Sequence, residues 1–210
     1  MKIVTISREF GSGGRELGKR LADILGFDYY DREIITAIAQ AQGMDEKYVE
    51  YALENHVWMR VPLTFRHSFS SGVIQQPVHL NLLVEQRRVI ESIAKVNKDC
   101  VIVGRNADAI LSDENPFNIF VCADMEAKVQ RCIERAEPGE NMSRKAIEQN
   151  IRRIDKNRAQ VHEMITGSKW GQGISYHMTV NSSGWDMKEL ASAVAEFTAR
   201  WFERKNTNPN

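Results

Sequence analysis

Glu9-Phe10-Gly11-Ser12-Gly13-Gly14-Arg15-Glu16 is the stretch of this 210-residue chain whose residue types and spacing best suit chemistry. Glycines between a strand and a helix let backbone N–H groups converge on a phosphate, and the positive end of the helix adds to the attraction. Against the phosphate-binding pattern G-x-x-x-x-G-K-[ST], Gly14 takes the second glycine position. Arg15 replaces the lysine, Glu16 replaces the hydroxyl residue, and Glu9 stands where the first glycine belongs. Arg15 keeps the positive charge and can clasp phosphate oxygens through two donors. Glu16 can hold a metal ion, directly or through water, or simply favour the helix N-terminus by its charge. Two other readings stay open. The glycines can form a plain turn, or Gly11-x-Gly13 can begin a dinucleotide fingerprint with Asp31 as the ribose-binding acid, in which case Glu16 occupies the third glycine position.

The elements that must position this loop follow from periodicity. Residues 2–6 read as a β-branched strand. Leu17, Leu21, Ile24 and Leu25 recur at helical spacing up to Gly26, and residues 27–30 form a second short strand closed by Asp31-Arg32. Strand, glycine loop, helix, strand is the start of a parallel α/β sheet. Residues 33–60 read as helical with a break near Gly43. Residues 61–80, with Pro62, Gly72 and Pro77, read as a mobile loop or small inserted lobe. A helix is expected over 80–96. The apolar runs 100–103 and 117–122 suit strands covered on both faces. Helices follow over 124–136 and 143–165, with Pro138-Gly139 between them. A strand over 177–181, a closing helix through Leu190, Val194, Phe197 and Trp201, and a frayed tail complete the pattern.

Composition removes several function classes. Lys plus Arg and Asp plus Glu number 28 each, so the net charge is zero, and 42% of residues are hydrophobic. A chain-wide basic field for nucleic acid or anionic lipid is not expected. Cys100, Cys122 and Cys132 are odd in number and lack metal-like spacing, which points to reduced thiols. The N-terminus has no signal-peptide pattern and no stretch has the length of a membrane span, so a cytoplasmic protein without nucleic-acid or membrane partners is expected. His56, His67, His79 and His162 share no ligand spacing, and Trp170 and Trp201 read as packing residues. The oligomeric state stays open between monomer and homodimer, with Val57, Trp58, Met59 and Val61 able to pack internally or form a dimer surface.

The run Ile6-Ser-Arg-Glu-Phe-Gly-Ser-Gly-Gly-Arg-Glu-Leu-Gly18 with Tyr30-Asp31 strongly resembles the cytidylate kinase-like family. Gln86-Arg87, Gly104-Arg105, Asp155-Lys156-x-Arg158, Trp170-Gly171, Tyr176-His177 and Val180-Asn181 extend the resemblance to residues 2–200. It implies a three-layer α/β P-loop fold with a central five-stranded parallel sheet, a helical lobe for a nucleoside monophosphate and an arginine-bearing lid. The whole chain is expected to form one such domain, with a core of residues 1–35 and 98–205, an inserted lobe over 36–97 and a lid over 131–158. The implied reaction moves the γ-phosphoryl of ATP, with Mg²⁺, onto CMP or dCMP.

On this expectation, Gly11, Ser12, Gly13, Gly14, Arg15 and Glu16 bind the nucleotide donor, and Arg15 bridges its phosphates. Arg131 and Arg135, one helical turn apart, match the lid arginines by place; a solvated helical face paired with Glu134 and Glu137 is the alternative. Arg105, at the carboxyl end of a buried strand, is assigned to the acceptor phosphate, with Asn106 where the family usually has an acid. Asp155 and Arg158, three apart on a helix, suit the edge of a cytosine. Arg153, in preference to Arg152, adds charge nearby. Asp31 and Arg32 border the acceptor site, and Asp31 can touch the transferring phosphate through a metal or act as a helix N-cap. No protein metal ligand is assigned beyond Glu16 and Asp31 acting through water. From Arg144 to Arg158 the chain carries six basic residues against Glu148 and Asp155, so the neutral total conceals a local positive face. A non-enzymatic phosphate-binding regulator of the same fold, or a kinase for another small acceptor, fits the same residues.

Overall fold

Continuous apolar runs need cover on both faces, and the sheet supplies it. The structure, a computed structural model, describes residues 1–55, 78–136 and 142–207. Strands β1 (Ile3–Arg8), β2 (Asp28–Tyr30), β3 (Cys100–Val103), β4 (Phe117–Cys122) and β5 (Met178–Asn181) form one parallel sheet in the order β2-β3-β1-β4-β5. Alternation along β1 divides its side chains between two cores. Val4 and Ile6 pack with Leu17 and Leu21 of α1 (Gly14–Leu25) and with Ala191 and Val194 of α8 (Met187–Thr207). Ile3 faces Ile34 and Ile38 of α2 (Arg32–Gln42), Val49 and Ala52 of α3 (Glu46–Asn55), and Leu82 and Ile90 of α4 (Val78–Lys95). Leu17 and Leu21 are fully buried, each contributing on the order of 2 kcal/mol.

The expected break near Gly43 is the end of α2. Gly43 adopts φ 62° and returns its N–H to Ala39 and Gln40. The irregular segment expected over 61–80 lies outside the described residues up to 77, as do Pro138-Gly139, Val57, Trp58, Met59 and Val61; from Val78 the chain is already helical. Helices α6 (Met125–Glu134) and α7 (Arg144–Thr166) follow β4. The short helix α5 (Ala107–Ile110), absent from the periodicity reading, turns the chain between β3 and β4. Asp124 and Ser143 cap α6 and α7, accepting from the Ala127 and Ala146 N–H groups. The three cysteines are free thiols, and no described helix is long and apolar enough to cross a membrane.

Register brings two turns together. Ile6 pairs with Val103 and Arg8 with Val121, so the glycine loop after β1 and the Gly104 turn after β3 open at the same end of the sheet. That carboxyl end, at its central strand, is where an α/β sheet leaves a crevice.

Candidate active site

The glycine loop is fastened at each step. Glu9 N–H donates to Val121 O at 3.0 Å, and Ser12 returns its hydroxyl to Glu9 O at 2.9 Å. Gly11 and Gly13 have φ of 76° and 79°, left-handed values that favour glycine. A Cβ on Gly13 would also press on the flexible end of Met187, which would have to shift. The loop carbonyls turn toward Arg131 and Ser182. The Ser182 hydroxyl donates to Ser12 O at 2.6 Å. Arg131 donates to the Ser182 hydroxyl and carbonyl at 3.2 and 2.8 Å, and to Gly11 O at 3.5 Å. The loop therefore presents the other side of its backbone to the cleft. Among the described residues no side chain caps α1, so the amides of its first turn, from Gly14 to Glu16, are the groups available to an anion.

Beneath the loop lies a buried ion triad. Lys128 Nζ is 2.7 Å from Glu9 Oε2 and 3.0 Å from Asp155 Oδ2, and Asp155 Oδ1 accepts the Phe10 N–H at 2.6 Å. Burial alone would pull the Lys128 ammonium down, but Glu9 and Asp155 outweigh it and hold the group above its ordinary value. Glu9 thus joins the loop to α6, and Asp155 joins it to α7.

Beside the loop, Arg8, Arg105 and Arg158 line a cleft whose other walls include Glu54, Leu53, Leu83, Val161 and Trp170. Arg8 is buried and sits over the Gly104 turn; a Cβ on Gly104 would come within 1.5 Å of Arg8 Nη1. Its pKa is pulled down to about 9, first by burial and then by Arg158, with Asp31 opposing and Arg105 and Arg15 adding to the fall. Arg8 therefore still carries its charge at neutral pH, poorly solvated and among like charges. Asp31, buried, receives Arg15 Nε at 2.5 Å and lies 3.6 Å from Arg8 Nη2. Arg158 donates to Arg8 O at 3.1 Å and stacks its guanidinium 5.8 Å from the Phe10 ring. Gly104, Arg105 and Asn106 are all left-handed, at φ 73°, 58° and 54°, a strained path that costs of order 1–3 kcal/mol per non-glycine residue. Arg105 is tied by its carbonyl to Gln86 Nε2 at 3.0 Å, and its own Nε is buried without a hydrogen-bond partner among the described residues.

The expected site residues separate into groups. Arg15, Asp31, Arg105 and Arg158 converge with the loop. Asp31 stands at the N-cap position of α2 but makes no side-chain cap bond, because its carboxylate is turned to the two arginines. Asp155 departs from the expectation of a shared ligand with Arg158: the Phe10 amide and Lys128 take both of its oxygens. Arg131 lies against the loop backbone and Ser182. Arg135 meets Glu16, which also binds Arg20 at 3.0 Å, while Glu134 accepts from Gln130; Glu137 lies outside the described residues. Arg32 is exposed and lines an open hollow with Arg15, Glu16, Asp31 and Arg135. Arg153 is exposed on α7 and donates to Asn150 at 2.7 Å, away from the cleft lining.

Three important residues escaped the sequence reading. Arg8 lies beyond the strand expected over residues 2–6, and the structure makes it the last residue of β1. Lys128 carried a usable signal, since it lies three residues after Met125 and four before Cys132, on the apolar stripe of α6. Glu54 is separated from Arg158 by 104 positions, and no local pattern links them.

A second buried polar group adjoins the cleft. The Ser7 hydroxyl donates to Asp108 Oδ2 at 3.3 Å, and His162 Nδ1 lies 3.8 Å from the same oxygen. Tyr176 stacks beside His162. Asp108 Oδ1, both His162 nitrogens and the Tyr176 hydroxyl are buried without hydrogen-bond partners among the described residues. Burial pushes the Asp108 carboxyl up, against His162, backbone amides and Ser7. A carboxyl raised on folding binds its proton more tightly in the native state, so it costs stability as pH rises through and above its ordinary range. Asp108→Asn removes that dependence. Melting temperatures of the two proteins between about pH 4 and 7 should converge toward acid and separate toward neutral, with the variant the more stable; parallel curves would contradict the assignment.

Phosphate-sized geometry, arginine clustering and the sheet order agree with known folds. The solved structure of an uncharacterized protein from Eubacterium ventriosum matches with TM-score 0.67 and 23% identity over 95% of this chain and 99% of that one. Shikimate kinase from Acinetobacter baumannii, solved with shikimate, matches with TM-score 0.55 and 13% identity over 95% and 94% of the two chains. A gluconokinase from Sinorhizobium meliloti matches with TM-score 0.53 and 11% identity over 98% and 96%. At these identities the likeness speaks for the fold, that of P-loop kinases. Comparison with curated protein sequences finds no match. The profile of the cytidylate kinase-like family matches residues 3–184, and this chain, with its arginine-lined cleft beside a glycine loop, belongs to that family.

Proposed function

We propose that the protein transfers the γ-phosphoryl group of ATP to a small acceptor that carries a phosphate of its own, a pyrimidine nucleoside monophosphate such as CMP or dCMP. The observation that carries this reading is the cluster of Arg8, Arg105 and Arg158 in one cleft, with Arg15 joined to Arg8 through Asp31, at the start of α1. Phosphoryl transfer asks little covalent chemistry of a protein. It asks for positive charge and fixed donors around an anionic transition state.

In this reading the amides of Gly14 to Glu16 and the Arg15 guanidinium hold the donor phosphates, and Arg8 and Arg105 take the acceptor phosphate. Arg131 holds the loop from behind, and Arg135, through Glu16, stands at its mouth. The loop fits a polyphosphate. The carboxylates fit a metal less well: Glu16 is taken by Arg20 and Arg135, and Asp31 by Arg8 and Arg15. No described cluster of three acidic, thiol or imidazole groups would hold an ion. A magnesium ion would thus be held by the phosphates themselves, where it would neutralise charge.

Coupled assay of ADP release tests the reading, with CMP, dCMP, UMP, shikimate and gluconate as acceptors. Turnover is expected with CMP or dCMP. Turnover with shikimate or gluconate alone would mark a kinase for a different acceptor. None with any acceptor, while nucleotide still binds, would mark a non-enzymatic regulator. Arg15→Ala should lower kcat/KM about thirtyfold, near 2 kcal/mol, since its side chain is 52% exposed. An unchanged kcat/KM would remove Arg15 from the donor site.

A further inference from the structure

Residues Glu9 to Glu16 contain one cation, Arg15, and it is half exposed and paired with Asp31. The buried ammonium beneath the loop comes from α6, as Lys128. We infer that Lys128, held between Glu9 and Asp155, is a positioning residue for phosphoryl transfer: it sets the loop backbone against the arginines of α6 and α7, and the ion triad serves that geometry more than it serves stability. The inference rests on the kinase reading above and gives that same site its internal brace.

Three elements meet at this ammonium. Glu9 Oε2 lies 2.7 Å from Lys128 Nζ and also accepts the Ala123 N–H at 3.2 Å, so the start of the loop is tied both to α6 and to the chain that leads into it. Asp155 of α7 reaches the same ammonium at 3.0 Å and takes the Phe10 N–H at 2.6 Å. Gly11 rests on the Lys128 main chain: a Cβ there would lie 3.0 Å from Lys128 O and 3.2 Å from its Cα. Each helix then carries an arginine three residues further on. Arg131 of α6 donates to Gly11 O and to Ser182, and Arg158 of α7 lines the cleft. A shift of Lys128 therefore moves the loop relative to both arginines.

A buried ion cluster is a poor source of stability. Its desolvation cost rivals its attraction, and neutral groups of similar size often replace it without loss. What the charges add here is a set of short, directed contacts. Phosphoryl transfer needs donors fixed before the transition state forms, and a misplacement of about 1 Å costs about 100-fold in rate. The sign of the charge separates this role from simple attraction. Two carboxylates around one ammonium leave a formal negative charge beneath the loop, which opposes an anionic ligand. Neutralising all three members removes that opposition and the placement together, so binding and turnover should move in different directions.

Steady-state kinetics with ATP and CMP, beside urea unfolding of the same preparations, provide the test. The triple variant Glu9→Gln, Lys128→Met, Asp155→Asn should keep most of the native stability and hold or lower KM for ATP, while kcat falls about 100-fold. Glu9→Gln alone keeps an oxygen for the Ala123 N–H and leaves Lys128 with Asp155. It should fold and lose about fivefold in kcat at unchanged KM, a smaller displacement of the same loop. Native kcat in the folded triple variant would overturn the inference, and so would a raised KM at native kcat, the mark of an attractive role. Should the triple variant fail to fold, Glu9→Gln decides by the same two outcomes. Each of these results leaves the kinase reading intact. No transfer by the native protein to any nucleoside monophosphate would overturn the kinase reading and this inference with it.

Discussion

Arg8→Met should reduce kcat/KM by about 10³ while leaving the protein as stable as before or more so. Loss of one fixed donor to a developing anion costs about 2.7–4 kcal/mol, and Arg8 is the most deeply placed donor in the cleft. It lies at the end of the central strand, over Gly104 and within reach of Asp31. Its burial and its arginine neighbours all disfavour its charge in the free protein. Removing it relieves that crowding, and Asp31 keeps Arg15 as its partner. The structural bond from Arg158 survives as well, since it goes to the Arg8 carbonyl. A site that stores unfavourable charge for its ligand loses activity and gains stability when that charge is removed. Arg8→Lys should restore little, because an ammonium cannot reproduce the fork that spans Asp31 and an anion. Chemical unfolding and kcat/KM measured on the same preparations check both halves. A variant that loses stability and activity together would make Arg8 a structural residue.

Lys128→Met should lose about 3 kcal/mol of unfolding free energy, the lower end of the range for breaking a buried ion pair. Glu9 and Asp155 would face each other without a cation, and their side chains are 25% and 17% exposed, so water reduces the penalty only in part. The triple variant Glu9→Gln, Lys128→Met, Asp155→Asn should recover most of the loss, because an asparagine can still accept the Phe10 N–H. Urea unfolding of the single and triple variants reads this directly. Equal losses in both would show that the triad acts through packing and not through charge.

Much of the scaffold is visible in the amino-acid pattern, because buried parallel strands declare themselves. Cys100–Val103 and Phe117–Cys122 are strands over the same residues that their apolar runs suggest. The glycine loop is legible for a similar reason: left-handed backbone at Gly11 and Gly13 demands those residues locally. The centre of the cleft was harder to read, because its residues are set by long-range contacts. Asp155 and Arg158 share a helix and lie three apart, which suggested a common ligand. What decides the orientation of Asp155 is Lys128 from another helix and the Phe10 amide from the loop. Asp31 stands where an N-cap would, and its position in sequence is silent about the two guanidiniums that turn it away. Arg8 ends an apolar strand and looks like the first polar residue of a turn. Only register, which puts Gly104 beside it, makes it the floor of the site.

The central claim is that the arginine cluster receives two phosphorylated ligands and passes a phosphoryl group between them. Single-turnover transfer from γ-³²P-labelled ATP, with protein in excess and CMP present, measures that event without dependence on product release. The label is expected to appear in CDP with the native protein and to be lost from it with Arg8→Met. Label that stays in ATP or emerges only as inorganic phosphate, with every nucleoside monophosphate supplied, would contradict the account.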